Sequence, residues 1–233
     1  MKEKMRKRDY FNLPNMMGYF RILMLPVFMI FYLKVEKMGD KYYFIALIAL
    51  LLSILSDLFD GKVARKFNMV TDWGKMLDPI ADKLTQGVLA ITLGIRITAR
   101  IGQPLMWIFL GIFLVKEVYQ GLMGLYIIKK KNFVQAAKWF GKFSTGGVDM
   151  TFFALLLFPT IPEHVVKILC WMIILVIIYA FICYILYHIG ILHDKPTWAQ
   201  QIKIHIGMGA VFILIHVAIM ALIITAYYGV RII

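Results

Sequence analysis

The sequence predicts an all-α integral membrane protein, a polytopic helix bundle, and three observations carry that prediction. The 233 residues are 61% hydrophobic and only 17% charged, with a mean hydropathy of +0.78. A soluble domain is about half apolar, and a disordered chain has fewer large apolar residues still. The apolar residues gather in runs such as Phe44–Ile54, Trp107–Val115 and Ile168–Ile182, which suits membrane-crossing helices. The basic residues gather between runs, as in Lys2, Lys4, Arg6, Lys7 and Arg8, and again in Lys129, Lys130 and Lys131. In a soluble chain a net charge of +13 would point to nucleic acid. Here it reads as the positive-inside bias, with contact to anionic lipid head groups.

Seven membrane helices are expected, near 16–34, 42–62, 73–96, 105–128, 145–160, 165–188 and 203–229. Each is about 20 residues, enough to cross some 30 Å of hydrocarbon. The run from Met16 to Leu33 is long, holds Arg21 and lacks a small-residue cleavage site, so it reads as a retained first helix rather than a signal peptide. Before it, Asp9–Asn15 carries Tyr10, Phe11 and Leu13, which suits a short interfacial helix from which Pro14 turns the chain inward. The connections are short: KVEKMGDK, then 63–72, 96–103, 129–144, 159–163 and 188–201. None separates domains, so 1–233 reads as one membrane domain. Cys170 and Cys183 are 13 positions apart in one expected helix, about 20 Å at 1.5 Å per residue and beyond disulfide reach. Lysines and arginines are more frequent on the side holding the N-terminus, 63–72, 129–144 and 189–202, which makes that side cytoplasmic.

The stretch SDLFDGKVARKFNMVTDWGKMLDPIADK, residues 56–83, runs against this background. An aspartate at a helix centre costs about 2.5–3.5 kcal/mol on insertion scales, so four facing lipid would oppose insertion by roughly 10 kcal/mol. Asp57 and Asp60 are three apart at the end of the second expected helix, and Asp78 and Asp82 are four apart on the third. Each pair shares a helix face, and the short turn between makes the helices antiparallel neighbours. Lys62 and Lys83 are the only directly flanking cations, so a metal ion is the expected neutralising partner. Carboxylate-only ligation suits Mg²⁺, Mn²⁺ or Ca²⁺. Gly61 and Gly74 admit close approach of a ligand or backbone, and Arg65 suits a phosphate. Together they describe pyrophosphate chemistry at a membrane. Asp72 is expected in the turn, as a solvated surface residue.

Asp57, Asp60, Gly61, Ala64, Arg65, Gly74, Asp78 and Asp82 span 26 residues. Their spacing resembles the signature of the CDP-alcohol phosphotransferases, and LPNMMGYFRI, with Asn15 and Arg21, is similar to the family's N-terminal element. The resemblance covers about 9–188. It implies a six-helix bundle with an N-terminal interfacial helix, usually a homodimer, to which 203–229 would add an extra C-terminal helix. It implies transfer of a phosphatidyl group from CDP-diacylglycerol to an alcohol with release of CMP, in phospholipid biosynthesis at the cell (inner) membrane. Asp57, Asp60, Asp78 and Asp82 would hold two divalent ions, Mg²⁺ or Mn²⁺, and Asp82 would act as general base. Asn15, Arg21, Gly61, Ala64, Arg65 and Gly74 would line the CDP-lipid site.

MLDPIADK (Met76–Lys83) looks most like phosphatidylglycerophosphate synthases and eukaryotic-type cardiolipin synthases, which also carry a basic–acidic pair, here Lys116 and Glu117, and a Gly-Lys-x-x-Thr element, here Gly141, Lys142 and Thr145. Glycerol 3-phosphate is then the first acceptor, with Lys116, Lys138 and Lys142 for its phosphate. Gly124 and Ser144 stand where those synthases have arginine and lysine, and Met17-Gly18-Tyr19 resembles phosphatidylinositol synthases, so inositol, its phosphate, or a cardiolipin-forming acceptor are the alternatives. A cation channel or transporter is the reading from another class. It would spread carboxylates through the membrane depth on several helices, whereas four sit in one hairpin here.

Overall fold

Asn12 sets where the first helix begins. Its side chain accepts a hydrogen bond from the Asn15 N–H at 2.9 Å, satisfying one of the donors a helix start leaves unpaired. Pro14 falls in the first turn, where its missing N–H costs nothing. The computed structural model describes residues 10–131 and 138–193. In it α1 is Leu13–Met38, α2 Asp40–Lys66, α3 Asp72–Ile101, α4 Leu105–Lys131, α5 Trp139–Leu157 and α6 Glu163–Leu192. Among the described residues there is no strand. The expected extra helix at 203–229 lies outside them, as does Asp9. Tyr10–Asn12 lead straight into α1, so Leu13–Asn15, expected at the interface, are already its first turn.

Five of the six helices, all but α5, are long and apolar enough to cross a membrane. The sequence placed a span over 145–160. There the structure has α5, a 19-residue helix whose apolar residues are diluted by Lys142, Ser144, Thr145, Asp149 and Thr151. The chain divides into two compact units, Met1–Thr92 and Leu93–Ile233.

In the first unit, Gly39 alone separates α1 from α2. Its φ of +91° lies where only glycine sits without strain, and it reverses the chain in one residue. The pairing then runs antiparallel: Phe31 stacks on Tyr42, Ser53 Oγ donates to the Arg21 carbonyl at 3.4 Å, and Ser56 Oγ to the Met17 carbonyl at 2.7 Å. Ala46, Ala49, Ser53 and Ser56 are buried along one stripe of α2. Small residues let helices approach closely where lipid supplies no hydrophobic drive. Leu25, Phe28 and Tyr32 of α1 fill the core against them.

The five residues 67–71 join α2 to α3, with Asn68 in the left-handed region at φ 52°, which asparagine tolerates. Thr71 caps α3: its Oγ1 accepts from the Gly74 N–H at 3.1 Å, three residues into the helix. Asp72 is therefore not in the turn but in the first turn of α3, exposed and paired with Lys75 at 2.9 Å, where a negative charge favours the helix dipole. Contacts between α1 and α3 advance together, from Asn15–Thr71 to Arg21–Asp82, so α1 and α3 run parallel and α2 antiparallel to both. Trp73 Nε1 donates to Tyr19 Oη at 2.6 Å, and Tyr19 Oη to the Tyr10 carbonyl at 3.2 Å, docking the chain before α1 onto the start of α3. Asn12 adds a second tie, Nδ2 donating to the Met69 carbonyl at 2.9 Å. We expect Asn12→Ala, which loses both the cap and this tie, to cost about 1–2 kcal/mol. Asn12→Ser, which keeps the cap, should fall between it and the parent in a thermal melt in detergent.

In the second unit, Phe109 packs edge-on against Phe152 at 5.6 Å, joining α4 to α5. Arg100, near the end of α3, donates to the carbonyls of Pro159 and Ile161 and so holds the turn between α5 and α6. Cys170 and Cys183 are buried free thiols of α6.

Candidate active site

The four aspartates fall into two groups. Asp60 and Asp78 line a cavity of about 290 Å³ in the first unit. Asn15, Gly61, Ala64, Arg65 and Gly74 line the same cavity, with Pro14, Met69, Val70, Thr71 and Lys75. Every residue that the resemblance assigns to the CDP lipid is therefore on its wall except Arg21. Asp57 and Asp82 are instead engaged by Arg21, whose Nη1 donates to Asp57 Oδ1 and, at 3.1 Å, to Asp82 Oδ1. Its Nη2 donates to the Asp78 carbonyl at 3.1 Å.

Local structure explains the cavity. The end of α2 brings Asp60, Gly61, Ala64 and Arg65, one turn apart. The start of α3 brings Gly74, Lys75 and Asp78 from the opposite direction, and the first turn of α1 closes the third side with Asn15. Asn15 Nδ2 donates to Thr71 Oγ1 at 3.2 Å. A methyl group on Gly74 would lie 2.7 Å from Asn15 Oδ1, closer than real contacts allow, so this glycine is what admits the Asn15 amide. A methyl group on Gly61 would meet only the Arg65 guanidinium, at 3.6 Å. Arg65 and Lys75 are exposed, positively charged and on the cavity wall, which suits an anionic ligand. Thr71 and Lys75 were missed in the sequence. A threonine just before an aspartate, with a glycine three residues on, was the capping signal for Thr71.

The carboxylates also bear on a metal. Asp60 Oδ2 is buried and has no hydrogen-bond partner among the described residues. A buried, unpartnered carboxylate oxygen is costly unless a cation or donor completes it. Asp78 lines the same cavity, and all four candidates are hard oxygen donors of the kind Mg²⁺ and Mn²⁺ prefer. Among the described residues no three acidic, cysteine or histidine side chains are already gathered as a metal cage, and Arg21 engages two of the four carboxylates. The donor chemistry fits a hard divalent cation, with Asp60 and Asp78 as the cavity-facing pair.

Lys116, Lys138 and Lys142 belong to the second unit. Lys116 is buried and its Nζ lies 2.6 Å from Glu117 Oε1 and 5.8 Å from the centre of the Tyr184 ring. Lys138 Nζ lies 4.5 Å over Tyr187. These two lysines thus meet one aromatic cluster on α6, with Phe140 packed edge-on to Tyr184 at 4.6 Å. Lys142 is exposed. Gly141 beside it has its own reason: a methyl group there would collide with the Tyr184 hydroxyl.

Residues 11–179 match the CDP-alcohol phosphatidyltransferase family. The chain is 40% identical over 82 residues to the CDP-diacylglycerol–glycerol-3-phosphate 3-phosphatidyltransferase of Rickettsia typhi (strain ATCC VR-144 / Wilmington), covering 35% of this chain and 44% of that one. It is 29% identical over 140 residues to the protein of the same name from Aquifex aeolicus (strain VF5), covering 60% and 72%. It is 38% identical over 73 residues to a CMP-forming cardiolipin synthase of Streptomyces coelicolor (strain ATCC BAA-471 / A3(2) / M145), covering 31% and 34%. The chain thus spans less than half the length of the first of these relatives. The eight-residue signature, the cavity that six of those residues line and the match over most of the chain agree: this membrane protein belongs to the CDP-alcohol phosphatidyltransferase family.

Proposed function

We propose that this protein transfers a phosphatidyl group from CDP-diacylglycerol to glycerol 3-phosphate and releases CMP, a step of phospholipid biosynthesis. The observation that carries the reading is the cavity in which Asp60 and Asp78 meet Asn15, Gly61, Ala64, Arg65 and Gly74. The names of the Rickettsia and Aquifex relatives support the acceptor.

The acceptor hydroxyl oxygen attacks the phosphorus that carries diacylglycerol. The bond from that phosphorus to the bridging oxygen of the diphosphate breaks, and CMP leaves with that oxygen. Two divalent ions, Mg²⁺ or Mn²⁺, held by Asp57, Asp60, Asp78 and Asp82, would neutralise charge building on the transferred phosphoryl group and the departing phosphate. Arg65 and Lys75 offset the charge of the diphosphate, and the glycines at 61 and 74 leave room beside it. Asp82 takes the hydroxyl proton. Arg21 engages its Oδ1 and so orients a carboxylate that is otherwise 58% exposed and open to a proton. Lys138 and Lys142 serve the acceptor phosphate. Lys116, the third lysine assigned to the acceptor, is paired with Glu117.

The protein is integral to the inner membrane, with this cavity on the cytoplasmic side. The basic residues Lys62, Arg65, Lys66 and Lys75 at the ends of α2 and α3 support that orientation. A homodimer is the assembly we propose.

The test is the purified protein with CDP-diacylglycerol, Mg²⁺ or Mn²⁺ and one alcohol at a time, reading CMP release and the mass of the lipid product. Release with glycerol 3-phosphate is expected. Release with inositol alone would replace the acceptor. Release with phosphatidylglycerol alone would favour the second reading, a cardiolipin synthase, which similarity to the Streptomyces protein supports. No release with any alcohol would overturn the reaction.

A further inference from the structure

Arg21 is the one residue assigned to the CDP lipid that the cavity wall does not include. It is 2% exposed. Its two Nη groups donate to Asp57, Asp82 and the Asp78 carbonyl, while its buried Nε has no hydrogen-bond partner among the described residues. Its own backbone is held as well, since its carbonyl accepts from Ser53 Oγ. One side chain of α1 thereby ties α2 to α3 at the level of the carboxylates. Both Nη groups are thus engaged by the carboxylate helices, and the side chain is buried away from the cavity.

Four carboxylates on neighbouring helices repel one another. A divalent cation offsets that repulsion only while it is bound. A fixed cation offsets part of it at all times and, being of like charge, opposes the arriving metal. We infer that Arg21 is a positioning residue: a built-in counter-charge that holds Asp57 and Asp82 and sets how tightly the carboxylate cluster takes a divalent cation. This rests on the reading of the four aspartates as metal-holding residues. It assigns Arg21 two consequences that donor binding would not produce. Its removal should tighten metal binding, and it should leave the affinity for the CDP lipid nearly untouched.

The experiment is a Mn²⁺ titration of the full chain in detergent, read by the electron paramagnetic resonance of free Mn²⁺, on the parent, Arg21→Gln and Arg21→Lys. Thermal midpoints are measured with and without Mn²⁺. Arg21→Gln should bind Mn²⁺ on the order of tenfold more tightly than the parent. It should also melt lower without the ion and gain more from it. Arg21→Lys keeps the charge but not the fork of donors. Its Mn²⁺ affinity should stay within about threefold of the parent, while kcat falls because Asp82 is held less well and KM for CDP-diacylglycerol stays nearly constant. If Arg21→Gln does not fold, the kcat-against-KM split in Arg21→Lys decides. Unchanged Mn²⁺ affinity in Arg21→Gln, or a rise in KM without loss of kcat in Arg21→Lys, overturns the inference alone. A parent that binds no Mn²⁺ overturns the metal reading and this inference with it.

Discussion

Asp82→Asn should lower CMP release by about 10² to 10⁴-fold, the range a positioned general base contributes, and leave the fold in place. The substitution is isosteric, and the amide oxygen can still accept from Arg21 Nη1, which lies 3.1 Å from Asp82 Oδ1. The side chain is 58% exposed, so no packing is lost. What disappears is the negative charge and the capacity to take a proton. CMP release and the thermal midpoint, measured on one preparation, separate these effects: a large loss of rate with a midpoint close to the parent is the expected pair. Intact CMP release would remove Asp82 from the chemistry.

Gly74→Ala should be the next most damaging change, and for a reason that lies in the protein rather than in the ligand. The added methyl group would sit 2.7 Å from Asn15 Oδ1 and 3.3 Å from Thr71 Oγ1. Neither neighbour moves freely, because Asn15 and Thr71 are bonded to each other and Thr71 also caps α3. Overpacking of this kind costs about 1–3 kcal/mol. Because Asn15 and Gly74 line the same cavity, a displaced Asn15 also intrudes on the donor, so KM for CDP-diacylglycerol should rise. A double-mutant cycle on thermal stability isolates the cause. With Asn15→Ala present the clash partner is gone, and Gly74→Ala should cost less by about 0.5–3 kcal/mol, the coupling usual for residues in contact. Additive costs would mean that the glycine does not serve Asn15.

Much of this architecture is legible in the sequence because apolar runs of membrane length have few other uses. The signature aspartates are legible because their spacing is local, three and four residues on a helix. The boundaries are less so. KVEKMGDK reads as a loop for its charges, yet α1 continues to Met38 and Gly39 alone makes the turn. Charged residues at a helix end can sit at the polar interface without unwinding the helix. The fifth helix is displaced in the same way: it is expected over 145–160 for its apolar end, Phe152–Leu157, and runs from Trp139 to Leu157 because its polar beginning is helical too. The place of Arg21 is not legible at all. Its partners lie 36 and 61 residues away: the antiparallel pairing of α1 with α2 brings Asp57 within reach, and the parallel pairing with α3 brings Asp82. The same holds for Thr71, whose tie to Asn15 bridges 56 residues.

The cavity draws every one of its walls from the stretch Pro14–Asp78, and Arg21 and Asp82 fall in it or just beyond. Such a stretch can be passed on as one piece. A recombination crossover after Asp82 hands it on complete, whereas one inside it parts Asn15 from Gly74, or Arg21 from Asp82, and yields two broken halves. A graft of Pro14–Asp82 therefore carries the donor cavity and its arginine tie together, whereas the acceptor lysines come with the rest of the chain.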